Sequence, residues 1–541
     1  MKSLALLGFA WLHLAAPALL ARPADTAVPS AFRGSSSAPD VARAADEEGA
    51  GQALLGERAA GAADFETEAV LPVVVSIRPD DPATNFRTEV FVHNVDAEPA
   101  VHLVLRTSAG LYEASVDVPR GGAYRFPDVV GAFVDRQTGV PTGADVSGTL
   151  TAQFRNGSGR MVARVHTVFG AGAAYPQGST TGASFESLDP AEELRVRTRF
   201  LNGLRTDPPY RTNVGLANIC GDAAGCATLD LSVAFRDDRT GSLVATRDVS
   251  VPPRQWVQLL SPIESGGEGD RGPFSMTVRA KNDGAAFDAY ATVLDGVAHD
   301  ATFLRARPAP ISTVVLPVVV DAPGLGGRFV TELCLTALEN GPTKADVSFR
   351  SSRTGREVRE SVSLEPGRGV LWSNAVDHFR QSAPQSVEPD DSGPVRVSFV
   401  AGDAALVTAR TLSSQGTGLA SDAVEPASEQ AKTAKRLTGL VENQLFRSNL
   451  AVANIGDGPE SGPIEVSVSL LAPSGASFGA PLSATIQPGG MVQWNRLLAG
   501  LGAEGEGFTA IVTRTAGTGA FDAFATVIDN ATEDASFVRG R

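Results

Sequence analysis

The sequence predicts an all-β chain of four tandem antiparallel β-sandwich domains in A-B-A-B order, preceded by a signal peptide and a flexible leader. Three observations carry this: apolar residues alternate with period two, turn residues recur at matching places, and the chain repeats itself. Leu194, Val196, Thr198 and Phe200 alternate with Arg195, Arg197 and Arg199, and Leu229, Leu231, Val233 and Phe235 alternate with mostly polar or small neighbours. A step of two sends one set of side chains inward and the other toward water, so the apolar set is expected to form the core. The turns Asp237–Gly241, Ser352–Gly355 and Pro473–Gly475 follow equivalent strands and end in a glycine able to take positive φ, as hairpins require.

The repeats set the domain plan. Ala286–Asp295 returns as Ala520–Asp529, an offset of 234, and 12 of 20 positions match between Ala286–Arg305 and Ala520–Arg539. Leu201-Asn-Gly-Leu204 and Tyr210-Arg-Thr-Asn213 return as Leu437-Thr-Gly-Leu440 and Phe446-Arg-Ser-Asn449, an offset of 236. These are one unit, B, copied with small loop changes. A second unit, A, is read from Leu71–Val75 and Phe86–Val92, which return as Leu316–Val320 and Phe329–Leu335. A and B share a Thr-bearing strand near the start and an Ala/Thr/Val-rich strand near the end, so all four are read as distant copies.

In chain order, residues 1–21 read as a signal peptide: Lys2, an apolar run over Leu4–Leu20, and small residues at Ala16, Ala18 and Ala21. Residues 22–66 are rich in Ala, Ser, Gly and Pro and read as a flexible leader. Four sandwiches follow at 67–170 (A1), 191–307 (B1), 312–412 (A2) and 435–541 (B2). Gly170–Pro190, Arg305–Ser312 and Ser413–Gln430 have linker composition. The expected molecule is a string of separate bodies, with each A packed beside its B. Short helical turns are expected at Asn374–Phe379 and Leu497–Leu501. After the signal no stretch approaches the ~20 apolar residues of a spanning helix, and no hydrophobic tail or lipid-accepting cysteine is expected to anchor the chain.

With these runs and turns the chain resembles the immunoglobulin-like or fibronectin-like β-sandwich repeats of exported bacterial surface proteins, over about residues 67–541. The Cys…Trp…Cys hallmark of true immunoglobulin domains is absent, and the resemblance, being architectural, implies no catalytic residues.

Composition narrows the function. A net charge of −15 disfavours nucleic acid, whose binders draw on cation–phosphate contacts. Three cysteines exclude a disulfide-built scaffold. Cys220 and Cys226 bracket a short turn-rich loop and are expected to pair in an oxidising compartment, leaving Cys334 as a buried apolar residue. Trp256, Trp372 and Trp494 recur after a Pro-led turn; they are core aromatics or, alternatively, platforms that stack on sugar rings. Gly475-Ala-Ser477-Phe-Gly479 matches a nucleophile-elbow pattern, but no histidine follows it and it falls on a hairpin, so a hydrolase is disfavoured. His93, His102, His166, His299 and His378 lack ligand spacing, with His93 and His102 at most a surface pair across a hairpin. Asp80-Asp81, Asp237-Asp238 and Asp390-Asp391 read as solvated turn carboxylates, with Ca²⁺ the minor alternative and no other cofactor expected. Asn94, Asn218 and Asn454, closing equivalent strands, read as turn caps, with Ala337 in the remaining unit. The expectation is an exported, non-enzymatic structural or adhesive protein at the cell exterior, meeting an unidentified protein or glycan. The alternatives are a carbohydrate-binding protein and, behind it, a hydrolase of unfamiliar type.

Overall fold

The computed structural model describes residues 67–541 apart from 78–83, 136–137, 141–144, 170–175, 178, 194–195, 221–225, 264–271, 283–285, 297–299, 309–311, 325–326, 340–341, 402–404, 414–417, 422 and 457–460. The signal and leader readings, Asp80-Asp81 and His299 lie outside the described residues.

Among the described residues, thirty-two strands follow one another in four runs of eight. The first run is β1 (Thr67–Ile77), β2 (Thr84–Asn94), β3 (Ala100–Thr107), β4 (Gly110–Asp117), β5 (Ala123–Phe126), β6 (Val146–Phe154), β7 (Gly159–Phe169) and β8 (Thr180–Glu186). The second is β9 (Thr198–Leu204), β10 (Tyr210–Asn218), β11 (Leu229–Asp237), β12 (Ser242–Val251), β13 (Trp256–Leu259), β14 (Phe274–Ala280), β15 (Phe287–Asp295) and β16 (Asp300–Arg305). The third is β17 (Thr313–Pro323), β18 (Arg328–Ala337), β19 (Thr343–Arg350), β20 (Glu357–Leu364), β21 (Gly369–Trp372), β22 (Asp391–Ala401), β23 (Ala405–Ser413) and β24 (Gly418–Ser421). The fourth is β25 (Ala434–Glu442), β26 (Phe446–Asn454), β27 (Ile464–Leu471), β28 (Ser477–Ile486), β29 (Met491–Trp494), β30 (Gly505–Ala516), β31 (Phe521–Asp529) and β32 (Ala535–Arg539).

One pairing scheme serves every run. In the second, the sheets β12-β11-β14-β9 and β13-β10-β15-β16 face each other across a shared core of Leu231, Val233, Phe235, Val278, Phe287 and Leu304. The fourth run repeats this as β28-β27-β30-β25 and β29-β26-β31-β32. The first and third have the same strand order, but the two sheets join into one eight-stranded sheet, β4-β3-β6-β1-β2-β7-β8 with β5 on β2, and β20-β19-β22-β17-β18-β23-β24 with β21 on β18.

The difference follows from the repeated motifs on the first strand of each run. In β1 and β17 the register slips between Leu71 and Val74 and between Leu316 and Val319, around Pro72 and Pro317, which have no N–H to give a ladder. The β-branched residues beyond each bulge continue the strand, so Ser76 and Ile77 pair with Arg87 and Phe86. In β9 and β25 the bulge is built on Gly203 and Gly439, with φ of 76° and 83°, and β9 ends directly after it without joining β10.

Several sequence expectations meet the structure here. Leu229, Leu231, Val233 and Phe235 are all fully buried. On β9 the faces are reversed: Arg199 is buried while Thr198 and Phe200 are only half-buried. Arg199 tolerates burial because its guanidinium donates to Phe287 O (2.9 Å) and Ala306 O (3.2 Å) and pairs with Glu193. Helical turns occur at Ala375–Ser382, capped by Asn374, and at Leu497–Gly500. Unforeseen helices lie at Val129–Asp135, Pro190–Glu193 and Pro426–Glu429.

Two segments with linker composition are not simply linkers, since 170–190 contains β8 and 413–430 contains β24. Their small residues reflect crowding rather than freedom. A Cβ on Gly182 would come within 2.2 Å of Val165 O, and one on Gly418 within 2.5 Å of the Leu412 side chain.

Candidate functional site at the four-strand junction

The last strand of each run is the place where all four meet. β8 packs on β16, β16 on β24, β24 on β32, and β32 back on β8. The string of separate bodies expected from the repeats is therefore corrected: the runs form a closed cycle, because each carries polar groups that only a neighbouring run can satisfy. The four strands surround a cavity of about 60 Å³ lined by Phe185, Phe303, Leu419, Phe537, Arg305 and Arg539. That is small beside the roughly 300–1,000 Å³ of ordinary ligand clefts.

Repeat-related acids close the junction. Gly418 N donates to Asp300 Oδ2 and Gly182 N to Asp534 Oδ2, each at 2.7 Å. The Asp300 and Asp534 carboxyls lie beside each other. Burial raises both carboxyls: Asp300 is pushed up to about 7, with repulsion from Asp295 adding to the rise, and Asp534 is pushed well above the usual range, with repulsion from Asp300 and Asp529 adding to it. Asp529 accepts from Thr180 N at 2.8 Å, and Ser184 donates to Phe537 O at 2.6 Å.

The remaining contacts between runs fall into two matched pairs. The first and second runs share a small apolar cluster of Val70, Leu188, Ala217, Ile219 and Ala286, and the third and fourth share its counterpart, Val315, Val424, Ala453, Ile455 and Ala520. The second and third meet where Asn202 donates to Cys334 O (3.2 Å) and Leu406 O (3.2 Å), and Arg205 pairs with Glu332 at 2.8 Å. There Asp238 is buried, accepts from Thr336 at 2.8 Å, and is pushed up to about 7 by burial. The first and fourth meet where Arg164 donates to Gly439 O, Ala123 N donates to Pro473 O (3.0 Å), and Arg125 bridges Glu89 and Glu506. The motifs Leu201–Leu204 and Leu437–Leu440 thus lie on the surfaces that join the second run to the third and the fourth to the first.

Each residue singled out from the sequence has a definite place. Cys220 and Cys226 are disulfide-bonded with Cα atoms 5.8 Å apart, and Cys334 is buried with its thiol pKa raised by desolvation. Trp372 is buried, stacked on His378 at 4.0 Å and edge-on to Phe379. Trp256 and Trp494 are half-buried against hydrophobic cores.

His93 and His102 are not a surface pair: both are buried, His93 facing Gly122 O (3.0 Å) and His102 facing Ser115. Burial and the nearby Arg160 and Arg436 push His93 down to about 3, and burial pushes His166 down to about 4. Ser477 is exposed at the start of the edge strand β28. Asp238 and Asp391 are buried, contrary to the solvated-turn reading; Asp391 accepts from Ser351 at 2.5 Å and Ser392 N at 2.8 Å. Among the described residues no group of three or more His, Cys, Asp or Glu side chains is arranged to hold a metal ion. No described helix is long and apolar enough to cross a membrane.

Sequence reasoning does not single out the junction acids, although Asp295 and Asp300 match Asp529 and Asp534 at the 234-residue offset. Identity at polar positions across the repeat is the signal that could have found them. No family model matches the chain, and no curated protein matches it. Among solved structures it is similar to a tetra-tandem repeat in the extending region of a large adhesion protein, at 12% identity over 86% of this chain and 98% of that one, with a TM-score of 0.11. A likeness at that score carries neither fold nor function to this chain.

Proposed function

We propose that this chain is an exported, non-enzymatic structural or adhesive protein. On this reading four immunoglobulin-like or fibronectin-like β-sandwiches, duplicated as A-B-A-B, are locked in a cycle that displays loops and edge strands outward. The observation that carries it is where the buried charge goes. Glu89, Arg164, Arg199, Asp238, Glu332 and Asp534 each bond between strands or between runs, so their polar chemistry holds the body together. The rigid body then presents the outer edge strands β4, β12, β20 and β28, with Leu111, Leu243 and Val244 exposed on them. Loops and edges held by a rigid scaffold are where sandwich proteins make contacts.

The test is fractionation of cells producing the full chain, followed by a screen of the exported form against glycans and matrix proteins. The mature protein is expected outside the cytoplasmic membrane with residues 1–21 removed, and bound saturably by one class of partner. Cytosolic retention of the unprocessed chain, or turnover of a substrate by the purified protein, would overturn the reading.

A further inference from the structure

The fourth run holds a wholly buried lysine between two acids. Lys435 Nζ on β25 lies 2.7 Å from Asp522 Oδ1 on β31 and 2.7 Å from Glu429 Oε2, with the Phe521 ring 5.8 Å away. Lys435 and Asp522 are both 0% exposed, and Asp522 Oδ2 has no hydrogen-bond partner. Glu429 also meets the Arg539 guanidinium at 3.3 Å.

From this geometry we propose that Lys435 and Asp522 become joined by an amide between Nζ and Cγ, with Glu429 carrying the proton. An ammonium and a carboxylate held in contact and away from water have already lost the freedom that makes amide formation slow between separate molecules. The lysine first gives one proton to the Asp522 carboxylate. The neutral amine then attacks Cγ and the C–N bond forms. A second proton passes from nitrogen through Glu429 to the departing hydroxyl, the C–O bond breaks, and one water leaves. Nitrogen keeps the third hydrogen, so atoms and charge balance without any oxidant or co-reactant. Burial alone would raise Glu429, but Lys435, Arg539 and Lys432 outweigh it and hold its pKa below the usual value, so it is ionised and accepts a hydrogen bond from Lys435 Nζ at 2.7 Å, the contact along which the proton moves.

The second run carries the matching nest with one decisive change. Arg199 stands where Lys435 does, beside Glu193 and with Asp288 on the matching strand bonded to Arg305. A guanidinium keeps the ion pairs but has no comparable amine to acylate. The link is therefore confined to the fourth run, where it would tie β25 of one sheet to β31 of the other across 87 residues.

The test is mass spectrometry of the full-length chain after reduction and denaturation. The native protein is expected to lack the mass of one water, and its digest to contain the Lys435 and Asp522 peptides joined. Lys435→Arg, which copies Arg199, and Glu429→Gln are expected to restore the full mass and release the peptides while circular dichroism stays that of a folded β protein. Recovery of both peptides separately at full mass from the native protein would overturn the proposal. A link that persists in Glu429→Gln would overturn the proton-carrying role.

Discussion

One hydroxyl recurs in every run. Thr88, Thr212, Thr331 and Ser448 are all fully buried, and each accepts from a backbone N–H at or just past the first-strand bulge: Val75, Arg205, Val320 and Val441. A bulge leaves ladder groups without partners, and a short hydroxyl on the second strand satisfies them without filling the core. Ser448 bonds both groups of Val441, so Ser448→Ala strands a buried N–H and C=O and is expected to cost about 1–3 kcal/mol, read from denaturant unfolding. The strand-end asparagines act likewise. Asn454 donates to Gly462 O and Ile486 O and accepts from Gly456 N. Asn454→Ala should destabilise the fourth run by a comparable amount, seen as faster amide exchange at Gly456 and its neighbours.

At the scale of elements, the bulge of β25 both ends a strand's regular pairing and makes a contact surface. Gly439 has a φ of 83°, and a Cβ there would come within 2.9 Å of the Phe91 ring on β2. Any side chain at this site meets both backbone strain and a steric clash across the first and fourth runs. Gly439→Val is expected to loosen that contact, with protection from hydrogen exchange lost together in β2, β7 and β25 while β19 and β22, in the third run, keep theirs. Uniform loss across all four runs would instead make the cycle a single cooperative unit.

At the scale of the whole molecule, closure of the cycle should depend on pH. Asp300, Asp534 and Asp238 all have folded-state pKa values raised above the unfolded value, so these three groups hold more protons in the folded protein than in the unfolded chain above about pH 4. Their contribution to stability is therefore fully present below the unfolded pKa and is lost as pH rises through about 7. Thermal unfolding should shift to lower temperature between pH 5 and pH 8, and Asp300→Asn should flatten that shift. The depressed pKa values of His93 and His166 act in the opposite sense below about pH 6.5, so a shift in the other direction would mean that they and the ionised carboxylates outweigh the three acids. Small-angle scattering offers a separate check: a closed cycle of this length should have a radius of gyration near the compact value of about 24 Å, and four sandwiches in line a markedly larger one.

Strand alternation, hairpin glycines and the copied motifs were legible because they are local: Leu229 to Phe235, Gly241, Gly355 and Gly475 act within their own hairpins. The Asn caps were readable for the same reason. The faces of β9, the strands inside 170–190 and 413–430, and the buried state of Asp238 were not, because each depends on a partner far along the chain. Period two says that a strand has two faces without saying which one an ion pair will bury, and a run of small residues reads alike in a linker and in a crowded junction. By itself, then, the sequence determined an all-β repeat with its turns and bulges. Only the tertiary structure decided that the repeats close on themselves, because buried acids and cations are tolerated solely where distant backbone and opposite charge converge on them.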